Sequence, residues 1–233
     1  MNIAIVRNIS HEGPGLLKQV ADRRGDKVVE IDLSRDLIMP DLNDFDGLIM
    51  LGGPDSVNDN STKIKTALSI TKQALDLNKP YLGICLGLQL LVKAAGGEII
   101  KNSIAEHGLL DPVGNQFNIK LTAAGRQSTL FKQLPDNLDV FHLHGETVEL
   151  TEDMTLLATG KYCESQVVRI GSKAYGLQCH FELTEEMLSE WISIDPDLQK
   201  LDKSQLQKVF NYQLESYTRT GKQLFNNFLD SID

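Results

Sequence analysis

Tyr81-Leu82-Gly83-Ile84-Cys85-Leu86-Gly87-Leu88-Gln89-Leu90-Leu91 decides how the chain is read. Tyr81 to Ile84 is a short apolar run, the mark of a buried strand. A helical pattern opens at Leu86, carries Leu90, Leu91 and Ala94 on one face, and stops at Gly96-Gly97. Between strand and helix stands one cysteine with a glycine two positions away on each side. Gly-x-Cys-x-Gly is the nucleophile-elbow spacing with Cys in place of Ser. The turn is tight, so a Cβ at Gly83 or Gly87 is expected to strike neighbouring backbone. Such a turn presents sulfur at the carboxyl end of a strand. It also puts Cys85 at a helix N-terminus, where the dipole and free amides favour a thiolate. A buried packing cysteine is the plain alternative for this stretch alone.

Upstream, apolar runs and helical patterns alternate. Ile3 to Val6, Lys27 to Asp32 and Asp46 to Leu51 read as strands. Leu16 to Arg24, closed by Gly25, and a segment carrying Ile64, Leu68 and Leu75 read as helices. This alternation predicts an α/β fold: a three-layer, open, mainly parallel sheet flanked by helices, with ligands at the carboxyl ends of the strands. After Gly97 the strand candidates shorten: Glu98 to Ile100, Asn118 to Leu121, Leu138 to Phe141, Leu156 to Ala158 and Gln166 to Ile170. They suggest an antiparallel edge. Ser103 to Gln116 carries no motif and reads as loop that can contribute to the pocket receiving the leaving group. Ala174 to Cys179 is a further buried strand running into His180-Phe181-Glu182, and a helix starts at Thr184 with Glu185 and Glu186 in its first turn.

The chain has 233 residues, enough for one substantial domain. No linker or repeat interrupts it, so one domain is expected over 1–233, with a core at 1–194 and a helical extension at 195–233. In the extension Leu201, Leu206, Phe210, Leu214, Tyr217, Leu224 and Phe228 can supply a packing face. The formal charge of −9, with no basic cluster, argues against nucleic acid as a partner. Three scattered cysteines at 85, 163 and 179 form neither a disulfide framework nor a zinc-ligand pattern, and Cys163 and Cys179 read as packing residues. No apolar run is long enough to span a bilayer and no signal peptide is evident, so a cytoplasmic location with no membrane partner is expected.

Two further motifs carry chemistry. In His180-Phe181-Glu182 the first and third side chains leave an extended segment on one side, so Glu182 can orient His180 as a base for a thiol. A surface histidine beside an ordinary charge is the alternative for such a pair in isolation. The turn Gly52-Gly53-Pro54 follows a strand and exposes backbone amides; the Gly53 amide, paired with that of Leu86, can hold an oxyanion. The same turn distantly resembles the phosphate loop of ATP pyrophosphatases, but it lacks the first Ser and follows the third strand rather than the first.

Taken in order, Gly-Gly-Pro, then Gly-x-Cys-x-Gly followed by Gln, then Gly176-Leu177-Gln178-Cys179-His180-Phe181-Glu182 resemble the triad-type, class I glutamine amidotransferases over roughly Met1 to Trp191. The family form has Phe at 179 and Pro at 181. The resemblance implies the flavodoxin-like fold of that family and a Cys85, His180, Glu182 triad. Cys85 would attack a γ-glutamyl amide, with Gly53 and Leu86 at the oxyanion. It implies substrate-binding roles for Gln89 and for His144 and Glu146 of His142-Leu143-His144-Gly145-Glu146, where relatives of GMP synthase carry Asp at 146. Thiolate chemistry of this type needs no metal and no cofactor, and none is expected. The substrate is a small γ-glutamyl compound, glutamine or a γ-glutamyl peptide or conjugate. The layout resembles a stand-alone, GMP synthase-like hydrolase, which is the expected reading; the alternatives are the glutaminase subunit of a separate synthase partner and a non-enzymatic regulatory module. The extension would either cover a partner's docking face or form a homo-oligomer interface.

Overall fold

The computed structural model describes residues 1–232. The chain runs β1 (Asn2–Arg7), α1 (Gly15–Arg24), β2 (Lys27–Asp32), β3 (Gly47–Met50), α2 (Thr62–Asp76), β4 (Tyr81–Ile84) and α3 (Leu86–Ala94). It continues through β5 (Glu98–Gly108), β6 (Asn118–Leu121), α4 (Ala123–Gln127), β7 (Asn137–Asp139), β8 (His142–Glu149), β9 (Met154–Gly160), β10 (Val167–Ile170) and β11 (Ala174–Leu177). It closes with α5 (Glu185–Ile194) and α6 (Lys203–Asp230).

Nine strands form one sheet in the order β2-β1-β3-β4-β11-β10-β9-β6-β7. The five from β2 to β11 are parallel and the remaining pairs antiparallel, so the expected parallel sheet with an antiparallel edge is present. Central strands buried on both faces explain the continuous apolar runs: Ile3 to Val6 and Tyr81, Leu82 and Ile84 are fully buried. Apolar clusters fill both faces of the sheet. Helix starts follow the cap chemistry of the sequence: Ser61, Thr184 and Asp202 side chains accept from Ile64, Met187 and Gln205 amides.

The second half departs from expectation in places. Glu98 to Ile100 is only the start of the eleven-residue β5, which runs on to Gly108 and takes in the first part of the segment expected as loop. β5 pairs with β8 as a separate two-stranded antiparallel sheet. The irregular register between Lys101 and Glu106 and a mostly exposed face erase the alternation by which a strand is recognised. The candidate strand Leu138 to Phe141 is split: β7 ends at Asp139, and Phe141 instead makes an isolated bridge to His180.

α6 lies along α1 and α5, with Leu206, Phe210, Tyr217, Leu224, Phe225, Phe228 and Leu229 buried. Burial of each such side chain is worth about 1.5–3 kcal/mol relative to exposure. Leu201 and Leu214 from the expected face are half-buried. The Asn227 amide donates to the Leu130 and Lys132 carbonyls, which locks the end of the helix to the turn after α4. Among the described residues no helix is long and apolar enough to cross a membrane.

Candidate active site

β4 and α3 meet at Cys85, whose backbone sits at φ 51°, ψ −105°. A non-glycine residue pays for such a conformation with strain, which surrounding structure must hold in place. The flanking glycines supply that hold. A Cβ on Gly83 would run into the backbone of Gly87, and one on Gly87 into the carbonyl oxygen of Met50. The expected reason for both glycines is therefore present in the packing. The elbow aims the Cys85 sulfur into a cleft of about 360 Å³, walled by Gly53, Gln89, His144, Glu146 and His180 among others.

The segment after β11 reaches the same cleft because β11 lies beside β4 in the sheet. His180 Nδ1 lies 2.6 Å from Glu182 Oε1, and the second carboxylate oxygen accepts from the Phe181 amide at 3.0 Å. Three ties fix this segment from behind. The His180 amide donates to the Phe141 carbonyl at 2.9 Å, the Leu16 amide to the Glu182 carbonyl at 2.8 Å, and the Tyr217 hydroxyl to the His180 carbonyl at 2.9 Å. Trp191 and Phe141 meet the imidazole edge-on.

His180 Nε2 is buried and has no other hydrogen-bond partner, and Cys85 is the group it interacts with. Burial works against a charge on the ring. The Glu182 carboxylate and the Cys85 sulfur outweigh it, and the His180 pKa stands well above the ordinary histidine value. The imidazole therefore stands between a carboxylate and a sulfur, both of which favour its protonated form. Cys163 and Cys179 show the opposite environment: both are buried and free, burial pushing Cys163 up to about 12 and Cys179 well above the ordinary thiol value.

The remaining sequence candidates also lie here. Gly53 adjoins Leu86, since a Cβ on it would stand 3.2 Å from the Leu86 side chain. Gln89 Nε2 donates to the Glu146 carbonyl at 3.3 Å, joining α3 to β8. The Gln178 amide donates toward Cys85 Sγ at 3.7 Å. The His144 ring turns Nδ1 to the Glu146 carbonyl at 3.0 Å, and the half-buried Glu146 side chain stands on the cleft wall.

Sequence reasoning missed Glu12, in the loop after β1. Its carboxylate lies against Gly52, which in turn faces His180 and Cys85, so that a Cβ on Gly52 would strike Glu12. Burial raises the Glu12 pKa to about 7 although His180 pulls it down. No motif marks this residue; only the fold of β1 beside β3 brings it to the site. Glu106 and Gln178 were likewise unmarked as site residues.

Residues 9–190 match the family model described as glutamine amidotransferase class-I. A glutamine amidotransferase-like protein YfeJ of Salmonella typhimurium is 30% identical over 195 residues, covering 80% of this chain and 77% of that protein. A glutamine-hydrolyzing GMP synthase of Borrelia garinii is 31% identical over 175 residues, covering 75% of this chain but only 30% of its own length. Among solved structures, a glutamine amidotransferase of Thermotoga maritima superposes with a TM-score of 0.86 at 21% identity, over 98% of this chain and 97% of that one. That of SMU.1228c gives 0.87 at 27%, over 100% and 99%. The family match, spanning most of the chain and taking in Cys85, His180 and Glu182, shows that the chain belongs to the class I glutamine amidotransferases.

Proposed function

We propose that the chain hydrolyses a γ-glutamyl amide through a Cys85-His180-Glu182 triad and a γ-glutamyl thioester. The observation that carries this reading is the 2.6 Å contact of His180 Nδ1 with Glu182, which leaves Nε2 to Cys85 at a strained elbow. The Cys85 thiolate attacks the amide carbon and forms the C–S bond. The Gly53 and Leu86 amides receive the oxyanion. As the C–N bond breaks, His180 gives its proton to the departing ammonia or amine. The neutral imidazole then takes a proton from water, the hydroxide attacks the thioester, and the C–S bond breaks to release glutamate. Glu182 holds the ring orientation throughout. Gln89, His144 and Glu146 stand on the wall that would receive the α-amino acid end of the substrate.

Treatment of the protein with an electrophilic glutamine analogue tests this directly. Intact-mass and peptide spectra should show one γ-glutamyl-type adduct, on Cys85, blocked by excess glutamine. Labelling of Cys163 or Cys179 instead, or labelling indifferent to glutamine, would remove the support.

We favour a stand-alone hydrolase, because α6 occupies the face formed by α1 and α5 with a large apolar contact. A second reading is supported by the GMP synthase matches, of which this chain spans about 30% of the length. In that reading the chain is a glutaminase that delivers ammonia to a separate synthase. The two differ in turnover: a stand-alone hydrolase runs at full rate alone, whereas a subunit is nearly silent until its partner is added.

A further inference from the structure

Behind the cleft wall, Glu106 on β5 and His142 and His144 on β8 converge, and all three are buried. His142 and His144 are two apart on a strand and so share a face. Glu106 pairs in register with His144. One ligand atom from each residue lies within 4.8 Å of the others, the only such cluster of three among the described residues.

The hydrogen bonding there is incomplete in a specific way. His144 Nδ1 faces a carbonyl oxygen, which only accepts, so Nδ1 donates there and Nε2 is turned to the interior. That Nε2 is 3.0 Å from Glu106 Oε2, yet the pair lacks the alignment of a hydrogen bond. His142 Nε2 stands 3.9 Å from the same oxygen, and neither His142 nitrogen has any hydrogen-bond partner. Lone pairs on a buried imidazole beside a carboxylate repel each other unless something electropositive stands between them. Zn²⁺ takes imidazole nitrogen and carboxylate oxygen at about 2.0–2.2 Å, which sets two ligands of one ion roughly 3–3.5 Å apart. A close, off-axis approach of Nε2 to Oε2 is what two ligands pointing at a shared ion produce. The outer contacts also suit ligation. The His144 N–H is held by a backbone carbonyl, and Glu106 accepts from the Gln166 amide at 2.9 Å.

We propose that Glu106, His142 and His144 bind one divalent transition-metal ion between β5 and β8. Two imidazoles and one carboxylate favour Zn²⁺ and its neighbours over Mg²⁺. The ion stands outside the Cys85 triad. It would clamp β5 to β8, and with them the stretch of β8 at 144–146 that walls the cleft. His144 would then shape that wall through its backbone, its Nε2 being committed to the metal.

The test is metal uptake by the purified full chain. After chelator treatment and incubation with Zn²⁺, elemental analysis should give one equivalent per chain, undisturbed by excess Mg²⁺. Glu106→Gln and His142→Ala should each weaken Zn²⁺ affinity by about 100-fold or more, beyond the usual effect of losing an outer contact. Cys85→Ala should keep the ion, which separates this site from the thiolate. Because a buried substitution can unfold the chain, the wild type is also loaded with Co²⁺. A visible ligand-field band without a sulfur-to-cobalt charge-transfer band supports the nitrogen and oxygen set. No uptake, unchanged affinity in both variants, a thiolate band, or loss of the ion in Cys85→Ala would each overturn the proposal. In the first case the contact of Glu106 with His144 is a plain carboxylate–imidazole contact.

Discussion

His180 and Glu182, two residues apart on one extended segment, meet at 2.6 Å between Nδ1 and Oε1. The contact is local in sequence, but the chain fixes it from three distant places: Phe141, Leu16 and Tyr217. It therefore turns a short-range motif into a rigid device. On the proposed mechanism, removing His180 as the base should cost more than removing Glu182 as its orienter. His180→Ala should lower kcat by about 10⁴-fold or more, and Glu182→Gln by a smaller factor of roughly 10²–10⁴. Steady-state kinetics on glutamine with both variants checks the ranking. Equal, slight losses would mean that the pair is structural.

The glycines of the elbow bear on stability rather than chemistry. Gly87→Ala would drive a methyl into the Met50 carbonyl, and Gly83→Ala one into the backbone of Gly87. Backbone does not yield as a flexible side chain does. Each substitution should cost more than about 3 kcal/mol, read as a fall in the urea midpoint. Gly96→Ala offers a comparison, since its Cβ position is open although its φ of 94° still carries strain.

Tyr217 links the helical extension to the site. Tyr217→Phe deletes one hydroxyl that donates to the His180 carbonyl at 2.9 Å. Stability should drop by about 1 kcal/mol. If α6 positions the histidine, kcat should fall with KM unchanged. A stability loss with unaltered kcat would confine Tyr217 to packing.

Glu12 gives the site a pH dependence. Its folded-state pKa is raised from 4.5 to about 7, chiefly by burial. The folded chain thus keeps a proton that the unfolded chain releases at lower pH. The stabilisation it contributes is fully present below the unfolded value of 4.5 and is lost as pH rises through about 7. Glu12→Gln removes that loss, so between about pH 5 and about pH 8 the variant should lose less stability than wild type, by on the order of 3 kcal/mol. Denaturant titrations at the two pH values measure it. His180 acts in the same direction, its raised pKa giving stability that disappears only well above 6.5.

What could be read from the chain alone follows a physical division. The parallel half was legible because its central strands β1, β3 and β4 are buried on both faces and glycines mark element ends, Gly25 after α1, Gly52 after β3 and Gly97 after α3, so apolar runs and stops coincide. That Cys85, His180 and Glu182 come together at one cleft follows from local motifs on adjacent strands. β5 was not legible. It exposes most of one face, and its register breaks between Lys101 and Glu106, so no period of two survives. Phe141 leaves the expected strand to bridge His180, a tertiary preference that no local pattern records. Glu12 and Glu106 are ordinary acids in sequence, and only folding buries them beside histidines.

The most direct measurement is release of glutamate and ammonia from glutamine and a small panel of γ-glutamyl peptides by the purified chain, alongside Cys85→Ala. The account predicts stoichiometric release of glutamate that vanishes in Cys85→Ala while the circular-dichroism spectrum stays unchanged. Release persisting at the wild-type rate in Cys85→Ala would contradict it.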